Sequence, residues 1–167
     1  AVSRAVKEYL ETKGRCRKTI HVVHSGIPDP GHRKRAFLEE GTLRLLFAGR
    51  LSREKGIDLL IPRLASLSET PWTLTLAGEG EMKEELLSLC RQLQIEKRVR
   101  FEGFVPDMGP LFLDHDCLVL PSRKEGFGLV IIEAFARGVP VLASATGGIT
   151  EIITPESGGL LYDPSHE

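Results

Sequence analysis

The chain's 167 residues and 18.4 kDa suit one domain of ordinary size, and 41% hydrophobic with 27% charged residues excludes a disordered, collagenous or disulfide-dense chain. With 22 basic and 23 acidic side chains the formal charge is −1, so no general field draws nucleic acid or an anionic membrane, and any anion site must be local. Cys16, Cys90 and Cys117 build no disulfide framework or CxxC motif, no apolar run spans a bilayer, and Ala1 to Leu10 is too charged for a signal peptide; the expectation is a cytoplasmic protein.

Along the chain the apolar period alternates between short strand-like runs and helical faces. A helix is predicted near Ser3 to Lys13, then a strand from Ile20 to His24 and a polar loop holding Pro28, Pro30 and Gly31. Leu43 to Ala48 reads as a strand ending at Gly49, and Ile57, Leu60, Ile61, Leu64 and Leu67 follow at helical spacing. Proline is tolerated where its missing N–H has no intrahelical partner, so the regular part of that helix is expected to begin close to Pro62. Thr73 to Ala77 is the next strand, and Met82, Leu86, Cys90 and Leu93 form the apolar stripe of the helix after it. Arg98 to Glu102, a short helix around Leu111, and Cys117 to Leu120 continue the alternation. Leu129 to Ala136 is apolar almost all round and reads as a buried helix. Val139 to Ala143, Ile149 to Ile153 and Gly159 to Tyr162 then read as strand, short helix and strand. The sum is an α/β chain with a Rossmann-like, doubly wound parallel sheet, whose ligands are expected outside the carboxyl ends of the strands.

That edge rule selects three places. In Gly49-Arg50-Leu51-Ser52-Arg53-Glu54-Lys55-Gly56 two cations bracket a strand-to-helix turn, so Arg50 and Lys55 could converge on a phosphate beside a helix N-terminus. A solvated loop is the plainer reading of that segment taken alone. In Pro121-Ser122-Arg123-Lys124-Glu125-Gly126-Phe127-Gly128 the glycines allow close approach of the main chain, and the helix that follows aims free N–H groups at an anion. Glu133 is a carboxylate within the apolar helix and needs a basic group, an N–H or a ligand hydroxyl; a structural salt bridge would equally satisfy it. Glu125 and Glu133, held apart by loop and helix, suit a long ligand with hydroxyls at both ends and phosphate between, such as a nucleotide sugar. Gly103-Phe104-Val105-Pro106-Asp107 could meet a base, although a Phe beside a turn is more often packing.

These segments resemble the C-terminal, donor-binding domain of retaining GT-B glycosyltransferases, the group 1 or family 4 class. Phe47-Ala48-Gly49-Arg50-Leu51 with Lys55-Gly56 resembles the family's phosphate-binding segment, and Glu125-Gly126-Phe127-Gly128 through Glu133 fits its E-x7-E motif. The resemblance extends from about Val22 to Ile153. It implies that Arg50 and Lys55 hold the diphosphate and stabilise its departing charge, and that Glu125 contacts the donor sugar. It also implies that Glu133 binds the ribose, that main-chain groups around Gly126, Phe127, Gly128, Leu129 and Val130 meet the phosphates and sugar, and that Gly49 and Val105 line the site, Val105 beside the base. The expected partner is a nucleotide-diphosphate sugar, used without metal or other cofactor. Ser25-Gly26-Ile27-Pro28 and Pro62 depart from the family's pattern.

By the same resemblance residues 1–14 are expected to be the end of an N-terminal, acceptor-binding domain, and 15–167 a donor domain truncated at its C-terminus. Such a piece is expected to bind donor and to transfer little by itself, and any peripheral membrane contact would come through the missing domain. Other readings of the architecture are a nucleotide-sugar epimerase, a glycogen-type phosphorylase and a noncatalytic nucleotide-sugar binding module. Gly78-Glu79-Gly80-Glu81-Met82-Lys83 lacks the third glycine of a dinucleotide fingerprint, and Asp114-His115-Asp116 precedes a strand, on the sheet edge opposite the expected site. His21 and His24, three apart on the expected strand, would face opposite sides.

Overall fold

A computed structural model describes residues 1–13, 18–31, 41–67 and 69–164. Cys16 lies outside the described residues. Six parallel strands form one sheet in the order β3-β2-β1-β4-β5-β6. The strands are β1 (Leu43–Ala48), β2 (Trp72–Ala77), β3 (Val99–Gly103), β4 (Cys117–Leu120), β5 (Val141–Ser144) and β6 (Gly159–Tyr162). The helices are α1 (Arg4–Thr12), α2 (Ile57–Ala65), α3 (Lys83–Gln92), α4 (Gly109–Asp114), α5 (Leu129–Ala136) and α6 (Ile149–Ile152). Strand order reverses direction at β1; with the right-handed crossovers that parallel strands follow, this order places α2 and α3, which contact each other, on one face of the sheet and α5 and α6 on the other. The doubly wound expectation holds.

The central strands are buried on both faces and are therefore nearly all apolar. Leu45 to Ala48 of β1 and Leu74 to Ala77 of β2 are buried, Thr75 included, and Trp72, Phe47 and Phe112 are the bulkiest fully enclosed side chains. On α3 the four-residue spacing of Met82, Leu86 and Cys90 puts all three into this core. α2 buries Ile57, Ile61 and Leu64 in the same way.

Three expectations are corrected. α2 begins at Ile57, with Pro62 inside it; Pro62 is exposed, so the carbonyl it fails to bond lies on the side of the helix that water can reach. Residues 20–24 form no strand. They run beside Ala1, whose N donates to His21 O at 2.7 Å and whose O accepts from Val23 N at 2.8 Å. α5 is not buried all round: only Ile131 and Ala134 are fully enclosed, while Leu129 is exposed and Glu133 half-buried.

The strand registers fix where a crevice can open. β1 pairs with β2 along its whole length, from Leu43↔Trp72 to Ala48↔Ala77, but with β4 only at Leu45↔Cys117 and Leu46↔Leu118. Beyond Leu46 the two central strands diverge toward their carboxyl ends, which is the topological switch point. At the other end Arg44 and Asp116 lock them together. Asp116 accepts from Arg44 N, Nε and a terminal guanidinium nitrogen at 3.0, 3.0 and 2.9 Å, and Asp116 N donates to Arg44 O at 2.7 Å.

Candidate donor-binding site

A cleft of about 590 Å³ lies over the carboxyl ends of β1, β2 and β3 and the start of α5. Ala48, Gly49 and Arg50 line it from the β1 turn, Ala77, Gly78 and Glu79 from the β2 turn, Phe104, Val105 and Met108 after β3, and Leu129, Val130 and Glu133 from α5. Of the residues singled out in the sequence, Gly49, Arg50, Val105, Leu129, Val130 and Glu133 therefore meet in one place. Arg50 is exposed and its guanidinium has no hydrogen-bond or ion-pair partner among the described residues. The Glu133 carboxylate likewise has no partner among the described residues; Arg137 bonds its backbone carbonyl instead, at 3.1 Å. Gly128 caps α5 in the left-handed region, φ 94°, with no side-chain cap, so the first-turn N–H groups of Leu129 and Val130 have no intrahelical acceptor. Positive partial charge and free donors thus open on the cleft wall.

A second hollow of about 460 Å³ adjoins the first, sharing Arg50, and is lined by Ser52, Arg53, Glu54, Lys55 and Glu81 as well. Here Lys55 Nζ donates to Glu125 Oε2 at 2.6 Å, with side chains 23% and 13% exposed. Lys55 and Glu125, assigned from the sequence to the diphosphate and to the donor sugar respectively, are thus an ion pair in this structure. Gly126 N bonds the other oxygen of Glu125 at 3.1 Å. Phe127 faces away from the cleft, buried and stacked on His24 with ring centroids 5.3 Å apart.

The two loops that carry this pair are bolted to each other. Arg123 grips both oxygens of Asp58 at 2.7 and 2.9 Å and bonds Arg53 O at 2.8 Å, while Arg123 N bonds Glu54 O at 2.8 Å. Burial alone would raise the Asp58 carboxyl, but the Arg123 bonds outweigh it and hold it below its ordinary range. Gly56 fits flush against Pro121: a Cβ there would lie 1.9 Å from Pro121 O. From the other side Ser144 Oγ donates to Ser122 O at 2.5 Å. None of these supports was singled out in the sequence, because each joins segments far apart in the chain and none has a local spacing to betray it. Phe104, 74% exposed at the rim, stood in the segment expected to meet a base, whereas Glu79 stood in one weighed only as a dinucleotide fingerprint.

Asp114, His115 and Asp116 lie at the opposite edge, before β4. There Asp116 is taken by Arg44, and His115 bonds Leu111 O at 2.6 Å and Thr75 Oγ1 at 2.8 Å. No cluster of three metal-ligating side chains occurs among the described residues, and no helix among them is long and apolar enough to cross a membrane.

Comparisons with known proteins show the family and the fold. An uncharacterized glycosyltransferase of Methanocaldococcus jannaschii is 40% identical over 125 residues, 73% of this chain and 32% of its own length. The sucrose-phosphate synthase of Thermosynechococcus elongatus superposes with a TM-score of 0.84 at 28% identity, covering 98% of this chain and 44% of its own. Anabaena HepE, solved in complex with UDP and glucose, superposes with a TM-score of 0.68 at 32% identity, over 74% of this chain and 35% of its own. The chain spans about a third of the length of the curated relatives it matches first. The family described as glycosyl transferases group 1 matches residues 29–167, so the chain belongs to the group 1 glycosyltransferases, with the Rossmann-like sheet of one half of a GT-B fold.

Proposed function

We propose that this chain is the donor-binding domain of a retaining glycosyltransferase, which holds a nucleotide-diphosphate sugar and passes the sugar to an acceptor on a separate N-terminal domain. The observation that carries the reading is the meeting of an unpaired guanidinium, a helix start and an unpaired carboxylate in one cleft at the switch point. A nucleoside diphosphate needs those three elements in that order. Glu133 accepts ribose hydroxyls, Arg50 and the N–H groups of Gly128, Leu129 and Val130 take the phosphates, and Val105 lies beside the base. Anabaena HepE, with UDP and glucose bound, supports this choice of ligand.

Lys55 and Glu125 extend the site toward the sugar. The Lys55 ammonium has three protons, one of them engaged by Glu125, so two remain for phosphate oxygens. Glu125 in turn keeps acceptor capacity for sugar hydroxyls. When the glycosidic bond breaks, negative charge develops on the leaving diphosphate; Arg50, Lys55 and the start of α5 face it and balance it without a metal ion. Retention of configuration follows from the family resemblance.

The test is calorimetry of UDP, GDP and ADP sugars, with the matching nucleoside diphosphates and nucleosides, in excess chelator. One of these donors should bind. Arg50→Ala should weaken its nucleoside diphosphate by ~1.5–3 kcal/mol and leave the nucleoside nearly unchanged. Glu133→Gln should weaken nucleoside diphosphate and donor alike. Binding that appears only on adding a divalent ion, or equal weakening of nucleoside and diphosphate by Arg50→Ala, would refute the assignment.

A further inference from the structure

We propose that Ser3 is a positioning residue for Glu125, acting through the peptide groups on either side of Gly126. The proposal rests on the reading of Glu125 as the group that meets the donor sugar. Ser3 is fully buried, although it belongs to the first few residues of the chain. Its Oγ accepts from Val6 N at 3.1 Å, capping α1, and so directs its single proton to Gly126 O, 2.6 Å away. On its other side Gly126 donates its own N–H to Glu125 Oε1 at 3.1 Å. Glycine has the widest backbone freedom of any residue, and the Ser3 bond removes that freedom next to the carboxylate.

The anchor is itself held in place. The N–H groups of Arg4 and Ala5 donate to the two oxygens of Glu151 at 3.0 Å each, and His24 Nε2 lies 3.2 Å from the same carboxylate. The His24 ring stacks on Phe127, and Lys124 Nζ lies 5.5 Å from the centre of the Tyr9 ring. Residues 124, 126 and 127, which surround Glu125 in sequence, thus each touch the N-terminal segment. Lys55 holds Glu125 from the side of β1, and Ser3 sets the backbone from which the carboxylate reaches Lys55.

The experiment measures UDP and UDP-glucose affinities by calorimetry for the native chain, Ser3→Ala, Glu125→Gln and the double variant. ADP-glucose or GDP-mannose, with its diphosphate, replaces that pair if the native chain prefers it. Ser3→Ala should weaken the sugar nucleotide about fivefold, as the loss of one net hydrogen bond implies, and change the diphosphate by less than about twofold. In the Glu125→Gln background Ser3→Ala should have no further effect on the ratio of the two affinities, a result that general loosening of the fold would not give. Amide exchange of Gly126 should be several-fold faster in Ser3→Ala whether or not a nucleotide binds, so this reading survives or fails separately from the proposed function. Ser3→Cys, a weak donor of similar size, carries the same comparison if the alanine variant does not fold. Equal weakening of both ligands, an undiminished effect in the Glu125→Gln background, or unchanged Gly126 exchange would overturn the proposal.

Discussion

Gly56 and Gly158 both occupy the left-handed region but in different surroundings, and alanine at each separates a conformational cost from a steric one. Gly56 has φ 67°, and a Cβ there would lie 1.9 Å from Pro121 O and 2.9 Å from Pro121 C. Gly158 has φ 80°, with nothing within 4 Å of its Cβ position. Gly158→Ala should therefore cost only the left-handed penalty, ~1–2 kcal/mol. Gly56→Ala bears the same penalty plus overpacking against backbone, typically ~1–3 kcal/mol, for a total of ~2–5 kcal/mol. A carbonyl in a strand-end turn cannot rotate aside as a side chain does, so relief requires the β1 turn to back away from Pro121. That movement pulls Lys55 from Glu125 and strains the Arg123 bonds to Arg53 and Glu54. Urea denaturation of both variants gives the stability losses, and nucleotide calorimetry gives the effect on the site. Equal losses for the two variants, or a Gly56→Ala protein with native nucleotide affinity, would refute the claim that Gly56 seats the two loops against each other.

Acidification should release α1. Burial alone would raise the Glu151 carboxyl, but the Arg4 and Ala5 N–H groups and His24 outweigh it and hold it below its ordinary range. Its contribution is therefore complete above the unfolded carboxylate value of ~4.3 and is lost as pH falls through the lower folded value. The melting-temperature gap between the native chain and Glu151→Gln should be open at neutral pH and close in acid; a constant gap would contradict this. Burial pushes the Cys117 thiol up to about 11 and raises Cys90 as well. In a Cys16→Ser background, alkylation at mildly alkaline pH should be at least ~100-fold slower than in the denatured chain. Comparable rates would show these thiols to be open.

Much of the sheet was legible because its strands read as short, mostly apolar runs, and the central ones are largely buried on both faces. Leu43–Ala48, Cys117–Leu120 and Gly159–Tyr162 begin and end where the sequence placed them, as does α5. Ile20 to His24 is also rich in β-branched residues but joins neither edge of the sheet, and composition carries no information about a partner. Pro62 misled for the opposite reason: a local rule was applied without knowing that the residue lies on the solvent side of α2. In the site, the residues that line the cleft announced themselves by following strands. The pairings that hold it did not. Ser3 and Gly126 are 123 positions apart, Arg123 and Asp58 are 65 apart, and Lys55 and Glu125 are 70 apart, so only the folded topology makes them neighbours.

The short seam between β1 and β4 has a consequence for the order in which the molecule assembles. β1 to β3 are joined by crossovers between sequence neighbours, as are β4 to β6, so each half closes its own loops cheaply. Joining the halves requires β4 to find β1, and Arg44 and Asp116, 72 positions apart, are the latch that sets its register. Only after that docking do the β1 turn and the start of α5 stand on facing walls. A nucleotide held between them binds the assembled sheet and not its separate halves. It would thus act as a clasp on the joint with fewest strand pairings, raising protection along β4 and β5 more than within β2 and β3.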